Sequence, residues 1–144
     1  MEKQKYAAIV LAAGSGKRMN SQVHKQYLII QDRPVLYYSL KAFEDSAVDE
    51  IVLVVGKGEE EFCRKEIVDK YGISKVKAIV EGGKERYHSV FEGLKQTSDA
   101  DYVLIHDGAR PFVNQEIIRR CMLEVPEYQA CVVGMPVKDT IKIA

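Results

Sequence analysis

The chain has 144 residues and a mass of 16.3 kDa, the size of one domain spanning 1–144, and 47% hydrophobic and 29% charged residues with ten glycines and four prolines exclude a disordered or fibrous polymer. Lysine plus arginine and aspartate plus glutamate both number 21, so no global field recruits nucleic acid or an acidic membrane, and any anion site must be local. No apolar run reaches the roughly 18 residues of a membrane span, and the opening MEKQKYAAIVLAAGSG breaks into glycine too soon for a signal peptide, which predicts a cytoplasmic protein with neither nucleic acid nor membrane as partner.

Tyr6 to Leu11 is a continuous apolar run and predicts a strand buried on both faces. From Pro34, the residues Leu36, Leu40 and Phe43 fall on one helical stripe, with the proline near the first turn. Ile51 to Val55 predicts a second buried strand. The segment from Glu59 to Lys70 predicts a helix that packs through Phe62, Ile67 and Val68. Val76 to Val80 follows as a third strand. A helix is expected from near Glu85, with Tyr87, Val90, Phe91 and Leu94 on its buried stripe. After a strand at Tyr102 to Ile105, Asn114 can cap a helix packed through Ile117, Cys121 and Val125, which Pro126 should stop. The tail ACVVGMPVKDTIKIA looks extended. Strands alternating with helical stripes argue for right-handed βαβ units, hence a Rossmann-like α/β three-layer sandwich with a mostly parallel central sheet.

Cys63, Cys121 and Cys131 are odd in number and far apart, which predicts reduced thiols rather than a disulfide framework or a zinc knot. His24, His88 and His106 lack the i,i+4 spacing of a helical metal site. In open parallel sheets, ligands bind where loops leave the carboxyl ends of the strands. Three such loops carry unusual chemistry: LAAGSGKRM, EGGKER and HDGARPF. In the first, Ala12, Ala13, Gly14, Ser15 and Gly16 expose backbone N–H groups and Lys17 and Arg18 follow, a cradle for a polyanion. A P-loop fails twice, with Leu11 at its first glycine and Arg18 at its hydroxyl position. A dinucleotide fingerprint would place Met19 at its third glycine. Residues 1–33 hold Lys3, Lys5, Lys17, Arg18, Lys25 and Arg33 against Glu2 and Asp32, an excess that could match a nucleoside triphosphate. Asp107, at the end of a buried strand, needs a partner or a cation. Arg110, three positions on, is the plain candidate for that partner, and His106 reads as a packed or hydrogen-bonded residue.

LAAGSGKRM, HKQY, EGGKERYHSV and HDGARPF, in this order and at these separations, resemble the 2-C-methyl-D-erythritol 4-phosphate cytidylyltransferases over nearly the whole chain. The first motif alone marks only the wider sugar-nucleotidyltransferase superfamily; KQY with HDGARPF narrows it. The resemblance implies the nucleotide-diphospho-sugar transferase type of sandwich and a reaction that joins CTP to a sugar-alcohol phosphate, with Mg²⁺ as cofactor and release of pyrophosphate. It implies that Arg18 and Lys25 are the catalytic cations. Ala12, Ala13, Gly14, Ser15, Gly16, Gly82, Gly83, Lys84 and Ser89 would hold the nucleotide. Asp107, Arg110 and Thr140 would face the acceptor, with Asp107 also a metal ligand. A homodimer is implied for the full-length form.

Two departures stand out. The family pattern continues past Ala144, so the resemblance predicts a chain truncated at its C-terminus, with an acceptor-site arm beginning near 135, a CTP half-site largely present and apolar surface left uncovered. His24 occupies the place where a proline commonly precedes KQY, which predicts a looser Lys25 loop. The alternatives are a ribitol 5-phosphate cytidylyltransferase, which usually resembles LAGGxGxRM and HDSVRPF; a CTP-binding module without turnover; and, at a distance, a nicotinamide-dinucleotide-binding domain.

Overall fold

A computed structural model describes residues 3–14 and 24–134, so Ser15, Gly16, Lys17, Arg18, Met19 and Thr140 lie outside the described residues. The chain runs through β1 (Tyr6–Ala12), a 3₁₀ turn (Lys25–Tyr27), β2 (Ile29–Ile30), β3 (Arg33–Pro34), α1 (Val35–Glu44) and β4 (Glu50–Val55). Next come α2 (Glu60–Cys63) with a π-helical turn (Arg64–Asp69), β5 (Val76–Glu81), α3 (Arg86–Leu94), β6 (Tyr102–Asp107) and α4 (Gln115–Tyr128).

The continuous apolar runs become the inner strands, because only a strand covered on both faces can bury every side chain. The sheet order is β5-β4-β1-β6, all parallel, with Val10 beside Leu53 on one flank and Ile9 beside Ile105 on the other. Side chains alternate between two cores. Ala8, Val10, Ile51 and Leu53 pack with Leu36, Leu40 and Phe43 of α1, with Ile67 and Val68, and with Ile118 of α4. Ile9, Leu11, Val52 and Val54 pack on the opposite face with Val90 of α3. Helices thus cover a mostly parallel sheet from both sides.

Several expectations need correction. In α3 the buried residues are Ser89 and Gly93, whereas Tyr87, Phe91 and Leu94 are exposed. The helix sits so close to the sheet that a Cβ on Gly93 would lie 2.7 Å from Ile9 Cγ2 and 3.3 Å from Val54 Cγ2, so contact runs through its smallest residues rather than its largest. Phe62 is likewise exposed; the wider π turn buries Ile67 and Val68, while Phe62 meets Tyr27 edge-on, centroids 5.3 Å apart.

Asn114 caps α4 as expected, its side chain accepting the Ile117 N–H at 2.9 Å, yet Ile118 is the helix's buried residue, not the stripe Ile117, Cys121 and Val125. Nor does Pro126 stop α4, which runs on to Tyr128. A proline cannot donate to the carbonyl four residues back, and here the Tyr6 hydroxyl donates to that carbonyl, Met122 O, at 3.0 Å. The helix ends where Gln129 turns left-handed at φ 67° and donates its N–H to Val125 O. Ala130 to Gly134 form no regular strand, and residues 135–144 lie outside the described residues. The β2–β3 hairpin, turning on Gln31 and Asp32 with positive φ, carries no glycine signal and was not foreseen from the sequence.

Candidate functional site

Ala13 and Gly14 after β1 meet the loops after β5 and β6 at the carboxyl ends of the strands. Hydrogen bonds past the last ladder rungs draw them in: Gly108 N–H donates to Leu11 O and Gly82 N–H to Val55 O, both at 2.7 Å. Between them lies a cleft of about 330 Å³, and the sequence candidates Ala12, Ala13, Gly14, Lys25, Gly83, Lys84, Ser89, Asp107 and Arg110 all line it. Gly82 supports it from behind, since a Cβ there would lie 2.5 Å from the Ala13 Cβ and 2.4 Å from Ser89 Oγ. Arg18, Ser15, Gly16 and Thr140 lie outside the described residues.

Each wall has a specific fastening. Ser89 is buried, and its Oγ accepts the Gly83 N–H at 3.2 Å, so this serine is more than an ordinary helix residue. The turn at 107–110 is held by the buried Ser39, whose hydroxyl lies 3.1 Å from Gly108 O and 3.0 Å from Arg110 O, and by a His106 Nε2 contact to Arg110 O at 2.9 Å. His106 also meets Phe43 edge-on, and burial pushes its pKa below the ordinary value. It is a packed, hydrogen-bonded residue, as the sequence suggests. The Lys25 turn is fastened despite the absent proline. His24 takes φ −62°, close to the value proline would impose. Its Nδ1 is 3.6 Å from Glu59 Oε1, and the Tyr27 hydroxyl is 3.2 Å from Cys63 Sγ, whose pKa burial lifts to about 11. The expected looseness is therefore offset by contacts to Glu59 and to Cys63 of α2.

Four cationic side chains, Lys25, Lys84, Arg86 and Arg110, line the cleft against the carboxylates of Glu85 and Asp107. A protein with no net charge thus carries a local surplus of positive charge in this cleft. The half-buried Asp107 has both anticipated and unanticipated company: Arg110 Nε at 3.3 Å and Arg86 Nη2 at 3.4 Å. Both separations exceed the roughly 2.7–2.9 Å of a tight charge-assisted bond, so the carboxylate is held loosely. Among the described residues no three His, Cys, Asp or Glu side chains gather as a metal cage. One carboxylate beside an anion site still suits Mg²⁺, which is commonly bound by one or two carboxylates together with substrate phosphates. The surplus of positive charge counted in residues 1–33 does not all face the cleft. Lys5 pairs with Glu50 at 3.2 Å and with Asp99, and Arg33 lies over the Tyr37 ring at 4.8 Å.

Sequence reasoning missed Gln26, Glu85, Arg86 and Ala109, which also line the cleft. Their signal was present, since all four fall inside the motifs KQY, EGGKER and HDGARPF, but no side-chain role could be assigned without the fold. A larger, mainly apolar groove of about 1350 Å³ adjoins the cleft and shares Lys25, Arg86, Asp107, Ala109 and Arg110 with it. Among the described residues no helix is long and apolar enough to cross a membrane.

The family model for 2-C-methyl-D-erythritol 4-phosphate cytidylyltransferase matches residues 6–144. A curated relative of that name from Lachnoclostridium phytofermentans is 55% identical over 141 residues, which cover 98% of this chain and 60% of the relative. Another, from Lachnospira eligens, is 56% identical over 138 residues, covering 95% of this chain and 60% of the relative. Among solved structures, the 4-diphosphocytidyl-2C-methyl-D-erythritol synthase of Anaerococcus prevotii superposes with a TM-score of 0.81 at 33% identity, covering 97% of this chain and 59% of that one. The chain therefore spans about 60% of the length of the curated relatives it matches.

Proposed function

The chain belongs to the 2-C-methyl-D-erythritol 4-phosphate cytidylyltransferase family, and from that membership we propose that it binds CTP in the cleft and condenses it with 2-C-methyl-D-erythritol 4-phosphate. A phosphate oxygen of the acceptor attacks the α-phosphorus of CTP, a new P–O bond forms, the bond to the β-phosphate oxygen breaks, and pyrophosphate leaves. The observation that carries this reading is the convergence of four motifs, spread along the chain, on one cationic cleft.

Both reactants are anions, so the residues must position and neutralise rather than supply a nucleophile. Ala12, Ala13 and Gly14 let the nucleotide approach the backbone. Gly83, Lys84 and Ser89 form the facing wall, where fixed backbone donors and acceptors can tell cytosine from uracil. Lys25, with Arg18, balances the charge that builds on the five-coordinate phosphorus. Arg110 and Arg86, which line the cleft, would take the acceptor phosphate, and Thr140 would add a contact to the same substrate. Asp107 would hold Mg²⁺, which would supply charge neutralisation at the phosphates when bound. A cytoplasmic setting and a homodimer in the full-length enzyme are part of the same proposal.

The test is pyrophosphate release from CTP and Mg²⁺ with 2-C-methyl-D-erythritol 4-phosphate, a parallel reaction with ribitol 5-phosphate, and calorimetry of CTP on the same protein. Release with the first acceptor is expected. Release with ribitol 5-phosphate alone would replace the acceptor, CTP binding without release would leave a nucleotide-binding module, and no CTP binding would overturn the site.

A further inference from the structure

In the Lys25–Tyr27 turn, Gln26 is the buried residue, 3% exposed, although it stands between a lysine and a tyrosine in a loop. A carboxamide nitrogen has two hydrogens, and each finds a backbone carbonyl: Ala12 O at 2.8 Å and Gly14 O at 3.1 Å. Ala12 ends β1 and Gly14 continues the loop that walls the cleft, so one side chain from the turn grips both. Gln26 thus satisfies two carbonyls at the edge of the cleft and is itself held by them. Consecutive Cα atoms are held about 3.8 Å apart by a rigid peptide, so fixing Gln26 also fixes where the Lys25 side chain begins.

We propose that Gln26 is a positioning residue, whose double clamp on the Ala12 and Gly14 carbonyls sets the Lys25 ammonium against the nucleotide loop. The proposal rests on the reading of the cleft as a CTP site, and it goes beyond that reading by making Lys25's action depend on a neighbour with no charge of its own. The turn's other fastenings reach α2 through Tyr27 and the preceding Glu59 through His24; the Gln26 clamp ties it to the end of β1 and the loop beyond.

Gln26→Met keeps the volume and removes both donors, so a side chain that merely fills space would leave this variant silent. The expected result is a kcat lowered by roughly 10- to 100-fold with the calorimetric Kd for CTP changed by less than about threefold, because a small misplacement is felt where charge develops. A folded variant with unchanged kcat, or one whose loss lies wholly in CTP affinity, would overturn the proposal. A second readout is independent of turnover. Reductive ¹³C-methylation of the lysines gives Lys25 an NMR resonance, assigned with Lys25→Arg. This resonance should shift or broaden in Gln26→Met while the other lysine resonances stay in place; an unmoved Lys25 resonance would also overturn the clamp. If the native chain released no pyrophosphate, the turnover reading would fail, while the resonance would still decide whether Gln26 positions Lys25.

Discussion

Ser89 and Lys25 line the same cleft but should fail in different ways. Ser89 is 5% exposed and its hydroxyl accepts the Gly83 N–H. Ser89→Ala leaves that donor unpaired next to tightly packed glycine backbone, at a cost of about 1–2 kcal/mol, to be read as a lowered urea midpoint with an unchanged slope. An unmoved midpoint would mean that water replaces the hydroxyl. Lys25 is exposed, and among the described residues its ammonium makes no hydrogen bond or ion pair. Lys25→Ala should therefore keep the native melting temperature and lose 10²-fold or more in pyrophosphate release, about 3 kcal/mol of transition-state stabilisation. Retained turnover would remove Lys25 from the mechanism. The type of each residue was plain from the sequence; burial, which decides between the two kinds of failure, was not.

At the scale of the element, α3 and α4 show why apolar spacing was an incomplete guide. Counting large side chains put Tyr87, Phe91 and Leu94 inward, but α3 approaches the sheet through Gly93 and Ser89, and only Val90 of the expected stripe packs into the core. Helix-to-sheet distance, invisible in a periodicity, set that face. In α4, Pro126 would be a stop signal in isolation, and the reason it is not lies in Tyr6, whose hydroxyl reaches the Met122 carbonyl 116 residues along the chain. This makes a double-mutant prediction. Tyr6→Phe should destabilise the chain by about 1 kcal/mol, because the Met122 carbonyl loses its donor. In a Pro126→Ala background, residue 126 regains an N–H that can serve that carbonyl, so the same change should cost less, a coupling on the order of 0.5–1 kcal/mol in urea denaturation. Strict additivity would show that the hydroxyl does not stand in for the missing N–H.

For the molecule as a whole, the strands were legible because a parallel sheet covered on both faces needs unbroken apolar runs, and Ala7 to Val10 and Ile51 to Val55 are such runs, each residue at 0% exposure. The location of the site followed from topology alone, at the carboxyl ends of those strands. The ties that join the layers through single polar side chains were not legible, and Glu44 is one with a pH signature. At the end of α1 its carboxylate accepts the Ser74 N–H at 3.0 Å, the Lys75 N–H at 2.8 Å and the Ser74 hydroxyl, so it fastens the helix to the approach of β5. Partial burial alone would raise its pKa, but these hydrogen bonds outweigh it and hold the group below its usual 4.5. A carboxylate depressed in the folded state binds fewer protons there than in the unfolded chain. It therefore contributes stability that is fully present above 4.5 and is lost as pH falls through the lower folded value. Glu44→Gln, which cannot ionise, should be less stable than the native chain at pH 7, and the gap should close as the pH falls below about 4.5 toward 3, measured as urea midpoints of the two proteins side by side. Taking the difference removes the other carboxylates, which titrate alike in both. A gap that stayed constant across this range would mean that Glu44 holds α1 to β5 by shape and neutral hydrogen bonding, with its charge playing no part.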